Sequence, residues 1–202
     1  MSCNINTDTD SIDKNTYLAE TLCRLFAKCF SVNYDTVLVS GASEPLYEPA
    51  KANQPARIYF AHDYFSSALH EVAHWCIAGE ERRNSVDYDY WYIADGRDDS
   101  QQAEFYRVEV KPQALEWAFS LACNYTFRVS IDNLKSVPEV MDWRYWQKQK
   151  ELELDFVARC QEQLEQWFSD GFPPRAWQYI CELQAYYRHS KQITFDEFRN
   201  YH

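Results

Sequence analysis

The chain has 202 residues, 46% of them hydrophobic and 17% aromatic, and a formal net charge of −11 at pH 7. This length and composition fit one folded domain with a sizeable core and exclude a low-complexity or collagen-like chain. The acidic balance is repelled by phosphate backbones, which excludes a general nucleic-acid binder, and no apolar run is long enough to cross a membrane.

Residues 1–14 are polar and expected to form a disordered tail, leaving 15–202 as a single domain. Leu18, Leu22, Leu25, Phe26 and Cys29 recur at helical spacing and predict a helix over 16–30. Two short strands follow, over 36–40 and over 56–61, where Ile58 and Phe60 alternate with Arg57 and Tyr59. The second leads into a helix with Asp63 as its expected cap, an apolar face of Ala68, Leu69, Val72, Ala73, Cys76 and Ile77, and Gly79 at its end. An aromatic segment, 87–92, reads as a strand closing at the turn Asp95-Gly96-Arg97. Val108-Glu109-Val110 alternates like an extended segment, and Pro112 suits the first turn of a largely apolar helix reaching about Phe127. Beyond Val137 the chain reads as helical over 138–168, breaks at Gly171-Phe172-Pro173-Pro174 and resumes to about Tyr187. Trp143, Trp146, Leu152, Phe156, Leu164 and Trp167 are expected there as packing residues. The sum is an α+β fold, with a small mixed sheet, one chemically distinctive helix and a helical C-terminal part.

Seven cysteines, Cys3, Cys23, Cys29, Cys76, Cys123, Cys160 and Cys181, include no C-x-x-C pair. An odd, scattered set predicts neither a disulfide framework nor a thiolate metal cluster, but small apolar residues in a reducing compartment. With no basic-then-apolar leader at the N-terminus, the expected location is cytoplasmic.

The chemistry concentrates in His70-Glu71-Val72-Ala73-His74. Two imidazoles four residues apart lie on one helical face and can grip one ion, with Glu71 beside them to move protons. A third ligand is required. Glu116 is preferred, because Glu116, Ser120 and Asn124 form a polar stripe on an apolar helix; Glu109 is second, and Asp95 and Asp87 follow. His62, His189 and His202, outside the motif, read as structural or surface residues.

The series running from Ser66 through the motif to Gly79, then Arg82-Arg83, Asp87-Tyr88-Asp89-Tyr90-Trp91-Tyr92, Asp95-Gly96-Arg97 and Val108 to Trp117 resembles the bacterial elongation factor P hydroxylase family. The likeness covers about residues 56–125; the first thirty residues and the C-terminal helices carry no matching motif. It implies hydroxylation of the modified lysine of elongation factor P after a β-lysyl group has been attached. It also implies iron held by two histidines and one carboxylate, on a mixed helix-and-sheet fold unlike the familiar hydroxylase barrels. The histidines carry over to His70 and His74, and the carboxylate by preference to Glu116.

On this reading Fe(II) and O2 serve an open site, while Glu71 steers protons. The His-x-Asp signature of 2-oxoglutarate-dependent oxygenases is absent, so that cosubstrate is not expected. Asp87, Asp89, Tyr90, Trp91, Asp95 and Arg97 are candidates to bind the lysine stem and its ammonium groups. Arg82, Arg83, Arg97, Arg107 and Lys111 form a basic group suited to an acidic partner such as a translation factor. The same motif also fits a zinc hydrolase, a peptidase or less readily a ribonuclease, with Glu71 as general base. A third reading is a structural metal in a binding module, for which no fourth ligand is evident.

Overall fold

The computed structural model describes residues 17–89, 97–131 and 143–199. Helix α1 (Ala19–Tyr34) feeds strand β1 (Thr36–Ala42), followed by β2 (Leu46–Glu48) and β3 (Ala56–Ala61). Helix α2 (Phe65–Ile77), α3 (Asp99–Ala122), α4 (Trp143–Asp170) and α5 (Pro174–Tyr187) complete the order, with short 3-10 turns at Arg82–Asn84, Val86–Asp89 and Phe195–Phe198. The architecture is α+β in one domain, with a mixed three-stranded sheet of order β1-β3-β2. No helix among the described residues is long and apolar enough to cross a membrane.

β3 occupies the centre of this sheet, parallel to β1 and antiparallel to β2. Its alternation is the expected one: Ala56, Ile58 and Phe60 are buried, and Arg57 and Tyr59 are half-exposed. The β2 strand was not anticipated, because three residues are too few to set up a readable alternation.

Helix α2 is held from two sides. Trp75 packs against Phe26 and Phe30 of α1 at ring separations of 5.2 and 4.9 Å, and Tyr179 of α5 joins the same cluster. At its C-terminal end, Arg175 of α5 brings Nη2 within 2.6–3.0 Å of the carbonyl oxygens of Trp75, Cys76 and Ala78. Arg83 Nη1 donates to the Ala78 carbonyl as well, at 2.7 Å. Two guanidinium groups thus meet orphan carbonyls at the negative end of the helix dipole, where cations are favoured. The Arg175 guanidinium also lies over the Trp75 ring, 4.6 Å from its centroid.

Several local expectations are corrected. Asp63 does not cap α2: its carboxylate accepts the Gly41 N–H at 2.6 Å, and Tyr64 precedes the helix without a side-chain cap. The described part of segment 87–92 is a 3-10 turn rather than a strand, with Asp87 and Tyr88 at positive φ. Glu109 is helical, not extended. A capping box starts α3 at Asp98, whose side chain accepts the Gln101 N–H while the Gln101 side chain accepts the Asp98 N–H, so Pro112 falls inside the helix. On α4, Phe156, Leu164 and Trp167 are buried as expected, but Trp143 and Trp146 face solvent.

Replacing Arg175 leaves half-buried carbonyls unmet, so Arg175→Ala is expected to lower the unfolding free energy by about 3 kcal/mol in urea titration, with Arg175→Lys intermediate.

Candidate metal centre

The histidines of α2 face α3, and the two helices pack directly against each other. On α3 the positions 109, 113, 116 and 120 recur at i, i+4, i+7 and i+11, so Glu109, Gln113, Glu116 and Ser120 form one buried polar seam. Gln113 fixes the following loop, donating from Nε2 to the Ser130 carbonyl at 2.7 Å and accepting the Ser130 N–H at 2.9 Å.

Glu109 reaches both imidazoles. His70 Nε2 and His74 Nε2 are 3.1 Å apart, and the Glu109 oxygens lie 3.5 Å from the first and 3.4 Å from the second. His70, His74 and Glu109 are the group among the described residues whose ligand atoms gather closely enough to hold one metal ion. Ligands about 2.1 Å from a common ion, at roughly right to tetrahedral angles, are about 3.0–3.4 Å from one another; the two imidazole nitrogens match that spacing, and the carboxylate turns Oε2 to His70 at 3.5 Å and Oε1 to His74 at 3.4 Å. Neither Glu109 oxygen has a well-formed hydrogen bond, although both are buried. A buried carboxylate is rarely left so, and a cation satisfies it. The donor set therefore fits two-histidine, one-carboxylate coordination with positions left open.

Glu116, the preferred third ligand from sequence, meets the opposite edge of His70: its Oε2 is 2.8 Å from His70 Nδ1. A carboxylate on Nδ1 makes that nitrogen the donor and turns Nε2 toward Glu109 and His74, the position from which the neutral ring would bind a metal. Burial alone would discharge His70, but the Glu116 hydrogen bond and the charges of Glu109, Glu116 and Glu71 outweigh it and draw the imidazole up to about 10. Burial also opposes ionisation of Glu109, yet His74 and then His70 hold its carboxyl down to about 2. For Glu71 and Glu116, burial prevails over the imidazoles and raises both carboxyl groups. Three carboxylates around two imidazoles form a site short of positive charge, which a divalent cation supplies.

The cluster lies in the wall of a cavity of about 670 Å³, lined on the α2 side by Ser66, Ser67, His70 and Glu71, and on the α3 side by Phe105, Glu109, Gln113 and Glu116. Tyr17, Asn124, Tyr125 and Arg128 complete its mouth. The described candidates for substrate contact, Asp87 and Arg97, are not part of its lining. Asp87 accepts the Tyr47 N–H at 2.8 Å, and Arg97 is buried against the Phe105 ring, 3.9 Å from its centroid, with Nε donating to Gln102. Tyr90, Trp91, Asp95 and the side chain of Asp89 fall outside the described residues. Of the lining residues that sequence reasoning missed, Ser66 and Ser67 stand one turn before His70 and Glu71, a signal that could have found them; Tyr17 and Tyr125 carried no sequence signal.

Comparison with known proteins shows the family. The model of a family described as elongation factor P hydroxylase matches residues 25–198, well beyond the central block that carries the motif resemblance. Elongation factor P lysine hydroxylase of Haemophilus influenzae is 39% identical over 180 residues, spanning 89% of this chain and 94% of that protein. By the extent of both matches, and with the clustered histidines inside them, the chain belongs to the elongation factor P hydroxylase family.

Proposed function

We propose that this chain hydroxylates the β-lysylated lysine of elongation factor P, using one non-haem Fe(II) held by His70, His74 and Glu109, with O2 as cosubstrate. The observation that carries the reading is the His70–His74–Glu109 triangle in the wall of a roomy cavity, in a chain of this family. Iron bound there supplies the activation of dioxygen, whose one atom enters a C–H bond while the other leaves as water, with two electrons from a donor and two protons.

The protein's part is positioning and proton handling. Glu116 holds the His70 Nδ1 proton, fixing the ring and its tautomer, and so acts through His70 rather than as a ligand. Glu71, with its carboxyl raised by burial and its side chain on the cavity wall, is placed to carry a proton to or from the reacting group. Phe105 and Tyr125 offer apolar walls for the lysine stem, and Arg97 stiffens the Phe105 ring from behind. The zinc hydrolase reading shares the two histidines and Glu71; family membership weighs against it.

The decisive experiment is intact mass of β-lysylated elongation factor P after incubation in air with the Fe(II)-loaded chain. A gain of one oxygen atom, absent with His70→Ala, is expected; no gain with iron bound and reductants varied would sink the reading. In equilibrium Fe(II) titrations, Glu109→Ala is expected to abolish stoichiometric binding, while Glu116→Ala weakens it about 10–100-fold. The reverse order would make Glu116 the ligand. Glu71→Gln should retain iron yet lose about 100-fold or more in turnover.

A further inference from the structure

Asp87 and Arg97, expected from sequence to meet the substrate, do not line the cavity, so the ammonium groups of a lysine derivative find their seat elsewhere. The shape of the cavity points to it. His74 meets Glu109 at 3.4 Å and His70 meets Glu116 at 2.8 Å, so α2 and α3 run antiparallel. Ser66 and Ser67, one turn before the histidines, therefore stand toward the C-terminal end of α3.

Past that end the chain turns back at Asn124, whose φ is 55°, with the Tyr125 N–H donating to the Ser120 carbonyl at 2.8 Å. It returns along α3, where Gln113 holds both backbone groups of Ser130 and Gln102 Nε2 donates to the Ile131 carbonyl at 3.1 Å. Phe127 and Ile131 of this segment are buried, while Thr126, Arg128 and Ser130 alternate with them onto the cavity. The cavity is thus a trough between α2 and the returning segment, with arms of unequal length. Toward Phe105 it runs one turn past Glu109, roughly 6 Å, and toward Asn124 it runs two turns past Glu116, roughly 12 Å.

The long arm ends in an aromatic corner. Tyr17 donates its hydroxyl to the Asn124 carbonyl at 2.6 Å, and its ring meets Phe65 and Tyr125 at 5.2 and 5.1 Å, near-perpendicular to both. Tyr17 and Tyr125 are half-buried and line the cavity. Asn124 Nδ2 donates to the Tyr187 carbonyl at 3.3 Å, which leaves its side-chain oxygen, like the Ser66 hydroxyl, as an acceptor. Among the described lining residues of this arm beyond Glu116 and Arg128, none is charged. Ring surfaces and neutral acceptors, beside three carboxylates in a chain of net charge −11, favour a cation over an anion.

We infer that the long arm takes the β-lysyl extension and that the Tyr17–Tyr125 corner seats its terminal ammonium, so that this corner selects β-lysylated over unmodified lysine. This rests on the proposed function, which supplies the modified lysine. The terminal nitrogen of a β-lysyl group lies seven bonds beyond the nitrogen of the lysine that carries it, roughly 9 Å when extended. That length suits the long arm and exceeds the short one.

The test measures Kd of the full-length, Fe(II)-loaded chain, without oxygen, for elongation factor P carrying either β-lysyl or 3-aminohexanoyl on the same lysine. The second group differs only in lacking the terminal amine. The wild type is expected to bind the β-lysyl form about ten-fold more tightly. Tyr125→Leu and Tyr17→Leu should each bring the two forms within about two-fold of one another, by weakening the β-lysyl form alone, while Tyr125→Phe keeps the preference. Equal wild-type affinities for the two forms would overturn the inference and leave the proposed function standing. Equal weakening of both forms in the leucine variants would also overturn it, since the rings would then only shape the wall. Failure of the wild type to bind either form would bring down the proposed function as well.

Discussion

Placing ionisable groups between two packed helices is the constraint around which this molecule is arranged. An isolated charge removed from water costs several kcal/mol, and a pair or cluster is tolerated only where geometry and further hydrogen bonds compensate. Between α2 and α3 the compensation is mutual: Glu109 faces both imidazoles, Glu116 holds the far edge of His70, and Gln113 secures the loop after α3. The rest of the fold keeps the two helices at the spacing this needs. The aromatic cluster of Phe26, Phe30, Trp75 and Tyr179 presses α2 from behind, and Phe119 of α3 meets the same Tyr179 at 5.2 Å.

Much of this was legible in the residues, for identifiable reasons. The strands expected at 36–40 and 56–61 were visible because one face of each is buried, and His70 and His74 because i, i+4 spacing is a property of the backbone alone. The position of Glu109 was obscured by Pro112. Proline is favoured in a first helical turn, so a helix starting there is the simpler reading and leaves residue 109 outside. The competing signal, Asp98 with Gln101 three residues later, is a capping box with Asp in place of the more familiar Ser or Thr. Once the helix begins at Asp99, Glu109 and Glu116 lie two turns apart on one face and both reach His70. The tryptophans of α4 misled differently: helical periodicity shows that a face is apolar, not whether anything covers it.

Family membership and local geometry support each other without being the same argument. The matched span of 25–198 includes the latter part of α1 and all of α4 and α5, whose sequences carry no chemical motif; α1 and α5 pack behind α2, and α4 packs on α3. Tyr17, Tyr125 and Arg128 line the cavity, and among the described residues Asp87 and Tyr88 do not. That turn is instead tied to β2, with Tyr88 stacked on Tyr47 at 4.2 Å.

The arginine that fastens the end of α2 also bears on biogenesis. His70, His74 and Glu109 are all synthesised before residue 110, yet the second of the two cations that cap the histidine-bearing helix, and the one that meets the Trp75 and Cys76 carbonyls, arrives only at Arg175, on α5. Domains fold as units while the chain emerges from its amino end. A nascent chain that already exposes every member of the cluster has α2 fastened at its end by Arg83 alone, at the Ala78 carbonyl, and the carbonyls of Trp75 and Cys76 still wait for Arg175. The full seating of the histidine-bearing helix is therefore deferred until nearly the whole polypeptide has been made. A product truncated before α5 holds His70, His74 and Glu109 on a helix only half fastened.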